Sequence, residues 1–165
     1  MYFVDTSALV KTYIRERGTG AVHHAMRELG GSSLYISRLV VAEAMGVFTK
    51  KLREKSIRYA AYVQARDDLA SHVKTRLSLV RINEDVLVDA AGLVDRERTR
   101  GPGTLDMVHL ATAEYLQAVY PHHTVGFMCS DDKLSRLATV RGFDVFDPET
   151  TPMHELLPPD LGLPE

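Results

Sequence analysis

The sequence predicts an α/β fold with a mostly parallel sheet covered by helices on both faces. Three observations predict it. Short β-rich runs alternate with helical stretches along the whole chain, the pattern of strands joined by crossover helices. The first run, YFVD, reads as a buried strand that ends on an acid. The 165 residues suit one domain, with no repeat, low-complexity tract or interdomain linker.

The elements follow in order. After Tyr2–Asp5, SALVKTYIRER has helical spacing, with Leu9, Val10, Tyr13 and Ile14 on one face, and Gly18 and Gly20 interrupt it. A second helix covers Ala21 to Leu29 and stops at Gly30-Gly31. SLYIS is a strand, Ser37 stands where a helix cap would, and Leu39 to Glu54 is a helix. Ile57 to Arg76 is a long amphipathic helix with Ile57, Ala60, Ala61, Leu69 and Val73 inward. LSLVRI is the third strand and Asp85 to Arg98 the next helix. RGPG at 100–103 breaks the chain before an apolar, buried helix from Leu105 to Val119. Thr124–Cys129 is a strand, Asp131–Thr139 a short helix with Ser130 as its candidate cap, and FDVF a last strand. From Pro148 the chain holds five of its seven prolines and reads as a surface tail, so the division expected is a domain over 1–147 and a Pro-rich tail over 148–165.

Composition sets broad limits. Hydrophobic residues make up 45% and charged residues 25%, ordinary values for a soluble globular protein. The net charge of -2 does not advertise nucleic-acid binding, but a cluster of metal-binding carboxylates would itself pull the balance negative. A single cysteine, Cys129, rules out an internal disulfide and any CxxC motif. The opening MYFVDTSALV lacks the pattern of a signal peptide, and no apolar run approaches the ~18 residues of a membrane span. A cytoplasmic setting with no membrane partner is expected.

The chemistry lies in isolated acids. Asp5 is the only charge in YFVDTSALV, Glu43 in LVVAEAMGVF, and Asp106 in TLDMVHLATA. Burying an ionised carboxylate without compensation is costly, so each needs a basic partner, backbone donors or a metal ion. Asp5 and Asp131 follow strands, and sites in parallel sheets form beyond the carboxyl ends of strands. Asp106 lies in the first turn of its helix and Glu43 about a turn and a half into its own. Several carboxylates in one crevice repel one another unless a cation binds, and all-oxygen ligands suit Mg²⁺ or Mn²⁺. Taken singly, each acid has a plainer explanation. Asp5 and Asp131 suit helix caps, Asp106 suits the helix dipole, and Glu43 suits a half-buried ion pair. Together and in order they point to metal-assisted phosphoryl chemistry.

These residues carry a resemblance. DTSALVK after a strand, a lone Glu in an apolar helix, LDMVHLATA, and S-D-x-x-L after a strand are similar to the PIN-domain nucleases, most of all the VapC-type toxins of toxin–antitoxin pairs. The match runs from Tyr2 to about Phe146. The resemblance implies a three-layer α/β/α sandwich and a Mg²⁺- or Mn²⁺-dependent endoribonuclease. Asp5, Glu43, Asp106 and Asp131 fall on its acidic positions, as metal ligands and catalytic groups. Asp131 stands three residues before Leu134, the spacing of the motif, and the neighbouring Asp132 is the alternative. Cys129 takes the place of the motif's usual Thr or Ser, with Ser130 following. Thr6 and Ser7 fall on the small hydroxyl positions after the first acid, one of which commonly supports the site. His109, three residues after Asp106, reads either as support for the acids or as a hydrogen-bonded core histidine.

The expected mechanism is attack of a metal-activated water on an RNA phosphodiester, leaving a 5′-phosphate and a 3′-hydroxyl. Candidate phosphate contacts are Lys11, Arg15, Arg38, the run Lys50, Lys51, Arg53 and Lys55, and Arg98 and Arg100. Tyr13, Tyr35 and Tyr59 are candidates for stacking on bases, against ordinary core or surface roles. The family also implies a homodimer and a cognate antitoxin protein. Two other classes compete. A metal-dependent phosphatase beginning DxD is disfavoured because Ser7 stands where its second acid would. A non-catalytic PIN-like module binding RNA or protein would be marked by loss of an acid, and all four are present.

Overall fold

A computed structural model describes residues 1–29, 33–99, 101–152 and 154. Its centre is β1, Tyr2–Val4, a three-residue strand buried on both sides. Successive side chains of a strand point to opposite faces. Accordingly Tyr2 and Val4 join one apolar cluster and Phe3 the other. β2 (Leu34–Ser37) repeats this, with Leu34 and Ile36 on the first face and Tyr35 against the second. β3 (Ser78–Val80), β4 (Gly126–Met128) and β5 (Asp144–Phe146) complete a five-stranded sheet of order β3-β2-β1-β4-β5. Every pairing is parallel, as the sequence predicted.

Helices cover both faces. α1 (Thr6–Leu9), α2 (Thr19–Glu28), α3 (Arg38–Arg53) and α4 (Tyr59–Thr75) pack on the first face through residues such as Leu9, Val22, Phe48 and Leu69. α5 (Glu84–Arg96), α6 (Thr104–Val119) and α7 (Asp132–Val140) pack on the second through Leu93, Leu110 and Leu134. The result is the three-layer α/β/α sandwich. Full burial of each large side chain contributes about 1.5–3 kcal/mol. Gly126 is needed where β4 passes β1, because a Cβ there would sit 2.5 Å from the Tyr2 ring.

The strand order places the site. The chain starts in the middle of the sheet, builds outward through β2 to β3, then crosses to the other side for β4 and β5. The order therefore reverses between β1 and β4, and ligands of such sheets bind at that switch, beyond the strand ends. Val4 pairs with Met128 at this point, so Asp5 and Cys129 emerge side by side.

Several local expectations need correction. The first helix does not run to Arg17. α1 ends at Leu9 and tightens into a 3₁₀ turn at Val10–Thr12, which carries Lys11 into the interior. The chain then turns at Gly18, whose φ is +85°, before α2 begins. On α4, Ala65 and Leu69 are buried but Ala60 and Ala61 are exposed, and Ile57 and Tyr62 make the contact with the core there instead. Ser37 occupies the cap position of α3 without capping it, and its hydroxyl turns to His109 instead. The cap of α7 is Asp131, not Ser130. The segment expected as a surface tail begins docked: Pro148 is buried, and Glu149 forms an ion pair with Lys11. The expected helix stop at Gly30-Gly31 lies outside the described residues. Among the described residues no helix is long and apolar enough to cross a membrane.

Candidate active site

Asp5, Thr6, Ser7, Glu43, Asp106 and Asp131 line one cleft of about 270 Å³ at the switch point. Four elements deliver the acids: the end of β1, α3, the first turn of α6, and the cap of α7. The sequence expectation that these four carboxylates share a crevice matches this placement.

Asp5 is the most enclosed acid, with 3% of its surface exposed. Its Oδ2 accepts the backbone N–H of Ser7 at 2.8 Å and the Ser7 hydroxyl at 2.6 Å. Its Oδ1 is buried without a hydrogen bond among the described residues. A buried, unsatisfied carboxylate oxygen is expensive to leave unpaired. The Ser7 hydroxyl in turn accepts the Ser130 N–H at 2.9 Å, tying the end of β1 to the loop after β4.

Glu43 is held by two donors at one oxygen, Oε2. The Thr6 hydroxyl donates at 2.5 Å, and His109 Nε2 makes a short contact to the same atom. His109 is fully buried, and its Nδ1 meets the Ser37 hydroxyl at 2.9 Å. Burial pushes the Glu43 carboxyl up, but the His109 and Thr6 hydrogen bonds outweigh it and the net shift is down. Burial disfavours a charged His109, yet the Glu43 hydrogen bond and the charges of Asp5, Glu43 and Asp106 raise its pKa. The contact thus favours the protonated histidine and the ionised carboxylate over their neutral forms.

Asp106 Oδ2 reaches back to accept the N–H of Gly103 at 2.7 Å. Its pKa is raised, first by burial and then by the charges of Asp5 and Asp131, with the Gly103 bond opposing. Asp131 is both a cap and a member of the cleft. Its Oδ1 takes the N–H groups of Lys133 and Leu134 at 2.9 and 2.8 Å. Asp132 is exposed and does not line the cleft.

This arrangement fits a hard divalent cation. The donors are carboxylate oxygens, Asp5 offers an orphaned one, and the charges of Asp5 and Asp131 add to burial in raising Asp106. Among the described residues no group of three or more acid, histidine or cysteine side chains forms a ready-made cage. The acids line an open cleft instead, as suits Mg²⁺, which keeps several waters and takes only one or two carboxylates. Burial, and then Asp5, pushes the Cys129 thiol up to about 12, which disfavours a thiolate there.

The expected nucleic-acid contacts fare unevenly. Lys11 does not face solvent: it is 4% exposed and paired with Glu149 at 2.5 Å and Glu16 at 3.7 Å. Lys51 pairs with Glu16, and Lys50 lies 4.0 Å from Glu54. Arg15, Arg38, Arg53, Lys55 and Arg98 are exposed, and Arg100 lies outside the described residues. Tyr13 packs edge-on against Phe48 and Tyr35 tilts against Tyr120, while Tyr59 is 68% exposed.

Two contacts escaped the sequence reading. Ser37 holds His109, and Cys129 Sγ accepts the Asp131 N–H at 3.2 Å. Ser37 showed only as a helix cap. Cys129 follows from the register, since a residue after β4 must lie beside one after β1.

The family model for the PIN domain matches residues 2–139. The chain belongs to the PIN domain family. The match takes in all four acids and ends just inside α7. Solved structures share the PIN fold at low identity. FitAcB from Neisseria gonorrhoeae superposes with a TM-score of 0.62 at 16% identity, covering 92% of this chain and 100% of that one. VapC20 from Mycobacterium tuberculosis, a toxin that cleaves the sarcin–ricin loop, gives 0.61 at 18%, with 92% and 100% covered. PAE2754 from Pyrobaculum aerophilum gives 0.60 at 17%, with 90% of each chain covered. No curated protein sequence matches the chain.

Proposed function

We propose that this PIN domain is a metal-dependent endoribonuclease and the toxin of a toxin–antitoxin pair. The observation that carries the reading is Asp5: a buried carboxylate with one oxygen unsatisfied, in a cleft shared with Glu43, Asp106 and Asp131. Asp5, Asp106 and Glu43 would hold a Mg²⁺ or Mn²⁺ ion, with Asp131 direct or through water. Such an ion lowers the pKa of an attacking water and stabilises charge on the phosphate oxygens.

The chain's own groups supply the geometry. Ser7 fixes Asp5 through two hydrogen bonds, leaving Oδ1 for the ion. Thr6 and His109 fix Glu43 at Oε2, leaving Oε1 as the oxygen for ligation or for orienting water. Gly103 aims Asp106, and the α7 backbone aims Asp131. The similarity to VapC20 supports RNA as the substrate, and the FitAB structure solved with a DNA fragment supports a two-component assembly for this chain too. A homodimer and a cytoplasmic location belong to the same reading.

Purified protein is to be incubated with total RNA in Mg²⁺, in Mn²⁺ and in EDTA. Discrete cuts that need the metal and leave 5′-phosphates are expected. Cutting that persists in EDTA, or that leaves cyclic phosphates, overturns the reading.

A further inference from the structure

A hollow of about 490 Å³ lies beside the acidic cleft, with Glu97, Pro102, Lys133, Arg136, Leu137 and Val140 on its walls. A second hollow of about 260 Å³ shares Glu97, Pro102 and Lys133 and extends to Arg98 and Thr104. These walls belong to the segments that carry the acids. Thr104 opens α6 two residues before Asp106, and the Lys133 backbone N–H donates to Asp131 Oδ1.

Charge and surface both change across this short distance. Lys133 and Arg136 are exposed, and neither has a carboxylate partner among the described residues. Arg136 Nε only donates to the Asp132 carbonyl, so its charge stays available. Beside them Val140 is 81% exposed and adds apolar surface to the wall of the hollow.

We propose that this hollow is the subsite for the nucleotide next to the scissile phosphate of a single-stranded RNA. The proposal rests on the nuclease reading and adds where the strand goes. A phosphate at the acids is tolerated only with a cation, and the next phosphate needs cations supplied by the protein. Lys133 and Arg136 supply them one helical turn from Asp131. The base then lies against Pro102, Leu137 and Val140, in a volume within the ~300–1,000 Å³ of small-ligand sites. Glu97 is unsuited to a phosphate, and accepts an N–H from the edge of the base instead.

The test is binding of a short mixed-sequence single-stranded RNA with a non-cleavable backbone in constant Mn²⁺, read by fluorescence anisotropy across a salt series. Wild type is compared with the double variant Lys133→Ala, Arg136→Ala and with Lys74→Ala as a control on the far face, folding being checked by circular dichroism. Losing two phosphate contacts should flatten the slope of log K against log salt by about 1.4 and weaken binding about tenfold or more at low salt. In Mn²⁺ the KM for cleavage should rise in step, while the control matches wild type in both assays. An unchanged slope and affinity in a double variant compared with an actively cleaving wild type overturns the subsite and leaves the nuclease reading standing. A wild type that neither binds nor cuts RNA removes both. Unaltered RNA binding with lost capture of a protein partner reassigns the hollow to protein docking and overturns the proposal.

Discussion

His109 holds Glu43 from inside the protein. The imidazole Nε2 of a fully buried histidine meets the same Glu43 Oε2 that accepts the Thr6 hydroxyl, while Nδ1 is anchored on Ser37. Three side chains, from α1, β2 and α6, thus fix the α3 carboxylate at the cleft. Groups behind metal ligands typically matter about 10–100-fold for metal affinity. His109→Ala should therefore weaken Mn²⁺ binding within that range, read by electron paramagnetic resonance. It should also cost about 2–4 kcal/mol of stability through the cavity and the broken pair. His109→Gln, which can still donate to Glu43, should restore part of the Mn²⁺ affinity. Equal affinity in all three proteins would mean that Glu43 needs no such support.

The same pair sets a pH window. Glu43, lowered from 4.5, adds stability that is present above 4.5 and lost as pH falls through its lowered value. His109, raised from 6.5, adds stability that is present below 6.5 and lost as pH rises through its raised value. The stability difference between wild type and His109→Phe should thus be largest between about pH 4.5 and 6.5 and shrink on both sides. Thermal melts of metal-free protein across pH check it, and a flat difference would show that the contact is neutral.

Asp106 behaves oppositely. Burial, then Asp5 and Asp131, raise its pKa above 3.8, so the folded chain binds this proton more tightly than the unfolded one. Stability of the metal-free protein therefore falls as pH rises through that interval, and Asp106→Asn should melt higher than wild type at neutral pH. Adding Mg²⁺ or Mn²⁺ should reverse the ranking, because only wild type gains from the ion. Each kcal/mol corresponds to about 2–4 °C in a chain of this size. A variant that melts lower without metal would show that the acids do not strain the fold.

Lys11 serves the fold. Its amine is 5% exposed and bound to Glu149, which is 30% exposed, and to Glu16. Glu149→Gln should cost about 1–3 kcal/mol, less than a fully buried pair because of that exposure. Urea unfolding measures it. RNA affinity should not change, and a loss of affinity without loss of stability would return Lys11 to the binding surface.

Much of this was legible in the sequence. The parallel sheet followed from short apolar runs between helices, and the acids from being the lone charges in apolar runs. Asp5, Glu43 and Asp106 needed no structure to be singled out, since a charge in YFVDTSALV or TLDMVHLATA demands an explanation. Lys11 was misread because in sequence it looks like any lysine on a helix. Only the 3₁₀ turn, and a partner 138 residues away, reveal its burial. Ser37 was misread for a related reason: a cap is a local property, whereas His109 lies 72 residues on. Local rules see neighbours along the chain, and these contacts are made across the sheet.

On the proposed reading, the Asp5 cluster cuts RNA with a divalent metal. Its most direct test is cleavage of total RNA by wild type, Asp5→Asn and Asp106→Asn in Mn²⁺ and in EDTA. Loss of discrete cuts in both variants, which remain folded by circular dichroism, is the predicted result, with EDTA abolishing wild-type activity. Cutting that is unchanged in both variants would contradict the account and place the chemistry elsewhere on the protein.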